Sequence, residues 1–380
     1  MKIEVAKPDI EAALQVVSVG TASSGSDLTT HYVFRLGSGG TVEVLSNNGR
    51  MGCSMPLPGA RCEGEPGEAF TIESWRLNKW ISAIQGAVTL ELGDGKVKAT
   101  SSKGTVKFQT LDASQFRHWD ETFGETSEGT TIPARRLHTA LSHVRLFISD
   151  KDTTTPKLAV TEILNESLQA TDKGALAVVT IDPLKGSNLR VHGKDLGSVL
   201  SFLSSCGDEK VEIKEHEKCL FLVREDGGVL SVSRPRHGFP EIKLDKKPGD
   251  PHFWTVKTDD LQSSIKALAA SASKEDTRLT FNLEDGKVGL TMRCASGDNA
   301  TLHLEALEHG SEDNADPMPE NGFDVAYPYL LKLLGQYRGE TIRFGLNPML
   351  DKNKKPKGGW VRFREDREGD DYLTMLVWML

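Results

Sequence analysis

The feature that most constrains this chain is that it repeats itself. Apolar residues at offsets 0, 4 and 7 mark one face of a helix. They occur at Ile10, Leu14 and Val17, at Leu137, Leu141 and Val144, and at Leu261, Ile265 and Leu268. Ile10 and Leu137 are 127 residues apart, and Leu137 and Leu261 are 124 apart. A second triplet with the same offsets follows in each copy: Leu77, Ile81 and Ile84, then Leu196, Leu200 and Leu203, then Leu330, Leu334 and Tyr337. Such a period means one supersecondary unit used several times. The length agrees, since 380 residues exceed what one ordinary core organises.

Alternating runs, the signature of half-buried strands, surround these helices. The first copy has TVEVLSNN, AVTLELGDGKVKATS and GTVKFQTL, and the second has SLQATDKGALAVVTI, KVEIKEHEKCLFLVRE and GVLSVSR. The third has RLTFNLEDGKVGLTMRC, ATLHLEAL, TIRFGLN, WVRFRE and YLTMLVWML. Asp94-Gly95 and Asp285-Gly286 predict hairpin turns. Strands follow strands without a helix between each pair, so the class is α+β with mostly antiparallel sheets. Polar stretches at 121–129 (ETFGETSEG) and 246–250 (KKPGD) divide the chain into domains 1–125, 126–248 and 249–380. The acidic stretch 310–321 lies inside the third domain.

With 38% hydrophobic and 26% charged residues, the chain has enough apolar mass for packed cores. It has no apolar run of 18 residues, so no spanning helix is expected. The start, MKIEVAKPDIEAAL, alternates and carries acids, unlike a secretion signal. Five cysteines, Cys53, Cys62, Cys206, Cys219 and Cys294, fit no zinc spacing and read as reduced, mostly buried thiols.

A net charge of −8 argues against a protein that coats nucleic acid with its whole surface. It leaves room for one basic face. Each residue turns a helix by about 100°, which places Lys79, Arg135, Lys194, Lys266 and Lys332 roughly opposite the apolar stripe of their helices. The first helix offers Ala12 and Gln15 there instead, and Asp259 also points outward. Outward cations are common on solvated helix faces. The sharper reading is a basic surface, shared by corresponding helices, that attracts phosphates without reading bases.

Catalytic signatures are absent. The chain lacks GxxxxGK[ST], HExxH and GxSxG, and His216-Glu217 is followed by Lys-Cys-Leu, which is not a zincin. No spacing singles out a carboxylate pair, and His138 and His143 read as structural or solvated. The basic run 352–357 (KNKKPK) is an exposed hairpin tip, or else a contact for DNA or a partner. A binding protein without enzymatic activity, metal or cofactor is expected.

Ordered segments along the whole chain resemble the bacterial-type β sliding clamps, the processivity subunits of replicative DNA polymerase. MKIEVAKPDIEAALQVVS resembles that family's opening helix, FTIESWRLNKWIS (70–82) its second helix, and TLDASQF (110–116) the strand closing its first domain. ATDKGALAV (170–178) resembles its ATDGHRLAV, HGFPEI (237–242) its glycine-basic-aromatic-proline motif, and YLTMLVWML its C-terminal strand. The divergence is also what a phage-encoded version would carry.

The resemblance implies three tandem clamp domains and a ring made by a head-to-tail homodimer, with helices lining a hole that encloses double-stranded DNA. The five helix cations would then face DNA. It implies a hydrophobic pocket for short peptides of the replicative DNA polymerase and the clamp loader. The matching positions are Thr171, Leu176, Pro240, Leu350, Leu373 and Met375, whose ordinary alternative is plain core. It implies a chain interface near Val106, Phe108, Ala270 and Ser271, and a cytoplasmic protein of a bacterium or phage-infected cell.

Four departures stand out. Lys173-Gly174-Ala175 replaces Gly-His-Arg, Leu244 and Trp378 stand where arginines are usual, and Ala270 and Ser271 are small for an interface. These changes point to a more apolar pocket. Two alternatives are a scaffold on the same fold that never closes a ring, and a β-rich nucleic-acid-processing enzyme. The missing metal-ligand cluster counts against the second.

Overall fold

The computed structural model describes all residues except 26, 127, 150–154, 165, 241–250, 274–276, 285, 294–298, 314, 321, 354, 368 and 380. Each third of the chain follows one order: strand, helix, three-strand meander, one strand (two in the first and last thirds), helix, three strands.

The first third holds β1 (Lys2–Ala6), α1 (Lys7–Val17), β2 (His31–Leu36), β3 (Val42–Asn47) and β4 (Met51–Pro56). It continues through β5 (Arg61–Glu63), β6 (Ala69–Glu73), α2 (Ser74–Ala83), β7 (Ala87–Gly93), β8 (Lys96–Ser101) and β9 (Gly104–Gln109). A short helix, α3 (Asp120–Gly124), follows. The second third holds β10 (Thr130–Pro133), α4 (Ala134–Arg145), β11 (Val160–Leu164), β12 (Ser167–Thr171) and β13 (Ala175–Thr180). It ends with β14 (Arg190–His192), α5 (Gly193–Ser205), β15 (Lys210–Glu215), β16 (Cys219–Arg224) and β17 (Val229–Ser233). The last third holds β18 (His252–Lys257), α6 (Thr258–Ala270), β19 (Arg278–Glu284), β20 (Lys287–Arg293), β21 (Asn299–Glu305) and β22 (Glu308–Ser311). It closes with β23 (Phe323–Ala326), α7 (Tyr327–Gln336), β24 (Thr341–Leu350), β25 (Pro356–Arg367) and β26 (Asp370–Met379).

Local chemistry explains the boundaries. α1 opens with Pro8, whose fixed φ suits a first turn, and Asp9, which complements the helix dipole. α6 opens with Asp259 and Asp260. The Asp94-Gly95 hairpin forms as expected: Gly93 pairs with Lys96, and both turn residues have positive φ, 50° and 68°. The second hairpin includes Asp285, which lies outside the described residues, as do the boundary 246–250 and Leu244.

The helix stripes are buried as read, with two corrections. Ile84 is buried but is the extended C-cap of α2 rather than part of it. Tyr337 is not a core position of α7: the helix ends at Gln336, Tyr337 is its extended C-cap, and Leu333 is the third buried residue. The polar stretch after 120 is also less of a linker than its composition suggests. α3 occupies its start, and Phe123 packs edge-on against Phe221, with centroids 5.2 Å apart.

The chain forms two compact units, Met1–Leu141 with Ser187–Arg236, and Ser142–Gly186 with His237–Leu380. In the first unit, β5-β1-β7-β8-β9 make one sheet and β10-β15-β16-β17-β4-β3-β2-β6 another. In the second, β11-β12-β13-β26-β23-β19-β20-β21 form a continuous path, and β22-β18-β24-β25 join it through β26. Each unit therefore contains a seam. Strand β17 pairs with β4 in the first unit, and β26 with β13 in the second. In both, the last strand of one third pairs with the third meander strand of the preceding third, so main-chain hydrogen bonds cross the divisions that composition suggests.

Candidate functional site

The second seam gathers most of the residues expected to form a peptide pocket. β13 and β26 run antiparallel with Leu176 opposite Met375 and Val178 opposite Leu373. Residues directly opposite share a face. On that face Leu176, Val178, Met375 and Phe239 form a buried cluster, with Leu164, Trp360 and Leu373 half-buried around it. Thr171 is buried, opposite Leu176 on β12, and its hydroxyl donates to the Ala175 carbonyl at 2.6 Å. Pro240 follows Phe239 and is half-buried. Phe239 is held by its backbone N–H, which donates to the buried Glu162 carboxylate at 2.6 Å.

Leu350 reaches this face through an irregularity. The register of β24 on β25 shifts between Met349 and Leu350, so Met349 opposes Gly358 and Leu350 opposes Pro356. A bulge of this kind re-aims a side chain, and it puts Leu350 on the same face of the sheet as Trp360. Met349 stays 49% exposed at the sheet's end.

The turn at 172–174, where the sequence departs from the segment it resembles, is anchored from α7. The Tyr329 hydroxyl donates to Asp172 Oδ2 at 2.7 Å, and Asp172 Oδ1 accepts from the backbone of Gly174 and Ala175. Burial and the Asp172 carboxylate push the Tyr329 hydroxyl pKa up, so it remains a donor. Gly174 lies close under Tyr329, whose hydroxyl would stand 3.0 Å from an added Cβ. Lys173 takes a positive φ of 79°, a conformation that costs a side-chain-bearing residue about 1–2 kcal/mol and that glycine adopts freely.

Behind the seam, the other face of β26 is pinned by α4. His143 is buried, its Nε2 lies 3.0 Å from Thr374 Oγ1, and its ring meets Tyr372 edge-on at 5.2 Å. Burial pushes its pKa down to about 3. It is a neutral structural histidine.

The five helix cations are all exposed. Arg135 is 79% exposed and only 3.9 Å from the equally open Asp208, a contact worth little in water. Lys332 is the most engaged, with Nζ 5.4 Å above the Tyr329 ring and 3.4 Å from the Leu146 carbonyl. In the first unit α1 packs against α2 and α5, and in the second α6 packs against α7. Lys79 and Lys194 thus belong to one helix layer, and Lys266 and Lys332 to another.

The expected interface residues lie at two kinds of place. Val106 and Phe108 are on β9, the edge of its sheet. Val106 is half-buried, while Phe108 is buried against Trp80 with centroids 6.1 Å apart. Ala270 ends α6 and Ser271 caps it, and both are exposed. The other open sheet edge reached through a meander is β21, with Leu302 exposed. Sequence reading did not single out β21 or Trp360, and it met Phe239 only as the aromatic of the HGFPEI segment. The signal for Phe239 was available in its neighbour Pro240.

Among the described residues no group of three His, Cys, Asp or Glu could hold a metal, and no helix is long and apolar enough to cross a membrane. Cys53 and Cys206 are buried free thiols, and Cys62 and Cys219 are half-buried. The described residues of the basic run, which exclude 354, lie between β24 and the start of β25, where Asp351 Oδ1 accepts from the backbone of Asn353 and Lys355.

No family model matches the chain, and no curated protein matches it. Solved structures do. The DNA polymerase III subunit β of Pseudomonas aeruginosa superposes with a TM-score of 0.82 at 16% identity, covering 100% of both chains. The sliding clamp (DNA polymerase III subunit β) of Bartonella birtlesii, solved bound to griselimycin, gives 0.82 at 18%, covering 100% of this chain and 99% of that one. The Thermotoga maritima β subunit gives 0.79 at 15%, with the same coverage. The fold is that of these β sliding clamps, over the full length.

Proposed function

We propose that this protein is a DNA sliding clamp, a processivity factor without catalytic activity that closes around duplex DNA as a head-to-tail pair of identical chains. One observation carries the reading. Twice within the chain, the last strand of one third pairs with the third meander strand of the preceding third. The same rule leaves one donor and one acceptor unused, β9 of the first third and β21 of the last, and each is the edge of its sheet. A rule that leaves complementary free edges at opposite ends of a chain is satisfied by a second copy, and the two-fold symmetric solution closes. Free edges are otherwise a liability for aggregation.

On this reading the domains are 1–125, 126–248 and 249–380. Val106 and the exposed end of α6 at Ala270 and Ser271 flank the joint, while Phe108 supports β9 from inside. Lys79, Arg135, Lys194, Lys266 and Lys332 face DNA, touching phosphates through long chains and water so that the ring slides. Thr171, Leu176, Pro240, Leu350, Leu373 and Met375 bind a short apolar peptide of the replicative polymerase or of a clamp loader, in the cytoplasm. A large apolar anchor buried there contributes about 1.5–3 kcal/mol.

The test is retention on circular duplex DNA. The expected protein is a dimer by light scattering, stays on a circle, and leaves when the circle is cut. Reversal of Arg135, Lys194 and Lys332 to Glu, all exposed, should keep the fold and lose retention. A chain that stays monomeric and never remains on a circle overturns the ring and leaves a scaffold on the clamp fold.

A further inference from the structure

The outward face of α2 carries an aromatic residue that neither packing nor phosphate contact explains. Trp75 is 55% exposed, as is Leu307, and these are the most exposed large hydrophobic residues among those described. It precedes Lys79 by four residues, so the two share a face, turned away from the buried Leu77 and Ile81. The ring is held in place rather than loose. Its Nε1–H donates to Glu73 Oε1 at 2.6 Å, and Arg76 Nε binds the other Glu73 oxygen at 2.7 Å. That ion pair sets the Arg76 guanidinium 5.3 Å from the Trp75 ring centroid.

The chemistry of this cluster selects its ligand. The indole N–H, the polar handle a tryptophan usually brings to a protein interface, is already used by Glu73. What remains is a π surface, with Arg76 over one face and the exposed Lys79 one turn along the helix. An aromatic platform beside cations is how nucleic-acid bases are held without sequence preference, the ring stacking on the base and the cations meeting its phosphates. Bases in an intact duplex are already stacked on each other and present no face. We propose that Trp75, with Arg76 and Lys79, is a stacking site for an unpaired base of single-stranded DNA. This rests on α2 facing DNA, and it adds a preference that a passive duplex ring lacks.

The test compares fluorescein-labelled oligo(dT) with a short hairpin duplex of the same charge, binding to the full-length protein at one low salt concentration. W75A should weaken oligo(dT) binding by about 5- to 150-fold, the range of a single aromatic–base stack. Hairpin affinity should change less than twofold, and W75F should retain most of the single-strand affinity. Because the side chain is exposed, thermal melting of both variants should match the parent. The proposal is overturned if the parent does not bind oligo(dT), if W75A leaves that binding unchanged, or if both DNAs weaken equally. It is also overturned if W75A instead alters self-association, which would make Trp75 a protein contact. Short linear DNA needs no closed ring, so loss of retention on circles with stacking intact would refute the clamp reading and not this one.

Discussion

The two seams use the same strand-pairing rule and finish it differently. In the first, Ser231 of β17 opposes Gly52 of β4, so the face is lined by small residues. Trp119 fills the space: a Cβ on Gly52 would stand 2.2 Å from its ring. Trp119 is buried with Val33, Leu45 and Phe221, and Phe116 and Phe123 pack around it. In the second seam the corresponding positions are Leu176 and Met375, which fill the face themselves. Only Phe239 lies in their buried cluster from outside the sheet, and Trp360, Leu373 and Leu350 stay half-buried. One seam is roofed by the chain's own aromatic segment. The other keeps apolar surface at its rim, which is what the proposed peptide site would use.

The contrast can be broken most severely at the roof. Trp119→Ala should destabilise the first unit by about 3–5 kcal/mol, the usual cost of removing a buried tryptophan, and leave peptide binding at the second seam unchanged. Urea unfolding and a peptide titration would check both halves. At the second seam the position of the substitution matters. A charge at Leu176 or Met375 would be buried and would unfold the unit, so it would not report on binding. Leu373 is half-buried, and Leu373→Asp should cost at least tenfold in affinity for an apolar peptide by fluorescence anisotropy, with the melting profile kept.

Acid should separate the seams by a comparable amount. His143, behind the second, has its pKa lowered to about 3 by burial, against about 6.5 when unfolded. The folded state therefore binds fewer protons, and the stability this contributes is full above about pH 6.5 and is lost as pH falls toward 3. At pH 5 the loss from this group should be about 2 kcal/mol, carried by the second unit. Hydrogen exchange at pH 7 and 5 would locate it, and His143→Gln should flatten the difference. The smallest effect is expected at the end of the first seam. There Arg50 donates to the buried Asp195 at 2.7 Å, and its carbonyl accepts from Ser233 N at 2.8 Å. Arg50 is half exposed, which limits the pair, so Arg50→Ala should cost about 1 kcal/mol by denaturant titration.

Much of this was legible in the residues. The helix stripes buried as their 3.6-residue period requires, except at Ile84 and Tyr337, where the chain leaves the helix one residue early; Ile84 is buried all the same and Tyr337 is not. The cations opposite those stripes are exposed because a helix has only two sides. The proposed pocket residues Leu176, Leu373 and Met375 came from resemblance rather than pattern, since alternating apolar residues look the same in any strand. Trp360 was missed because nothing local distinguishes an aromatic beside a seam from one in a core.

What the sequence determined by itself was periodic and local: three repeats, the helix faces and the Asp94-Gly95 turn. What the tertiary structure alone decided was the partner of each strand. Which edge β17, β26 and β13 find depends on contacts more than 100 residues apart in the chain, and the backbone groups that make them are identical in every residue. A strand's own pattern names its buried face but not its neighbour. The neighbours are what roof one seam, leave the other with an apolar rim, and leave β9 and β21 as open edges.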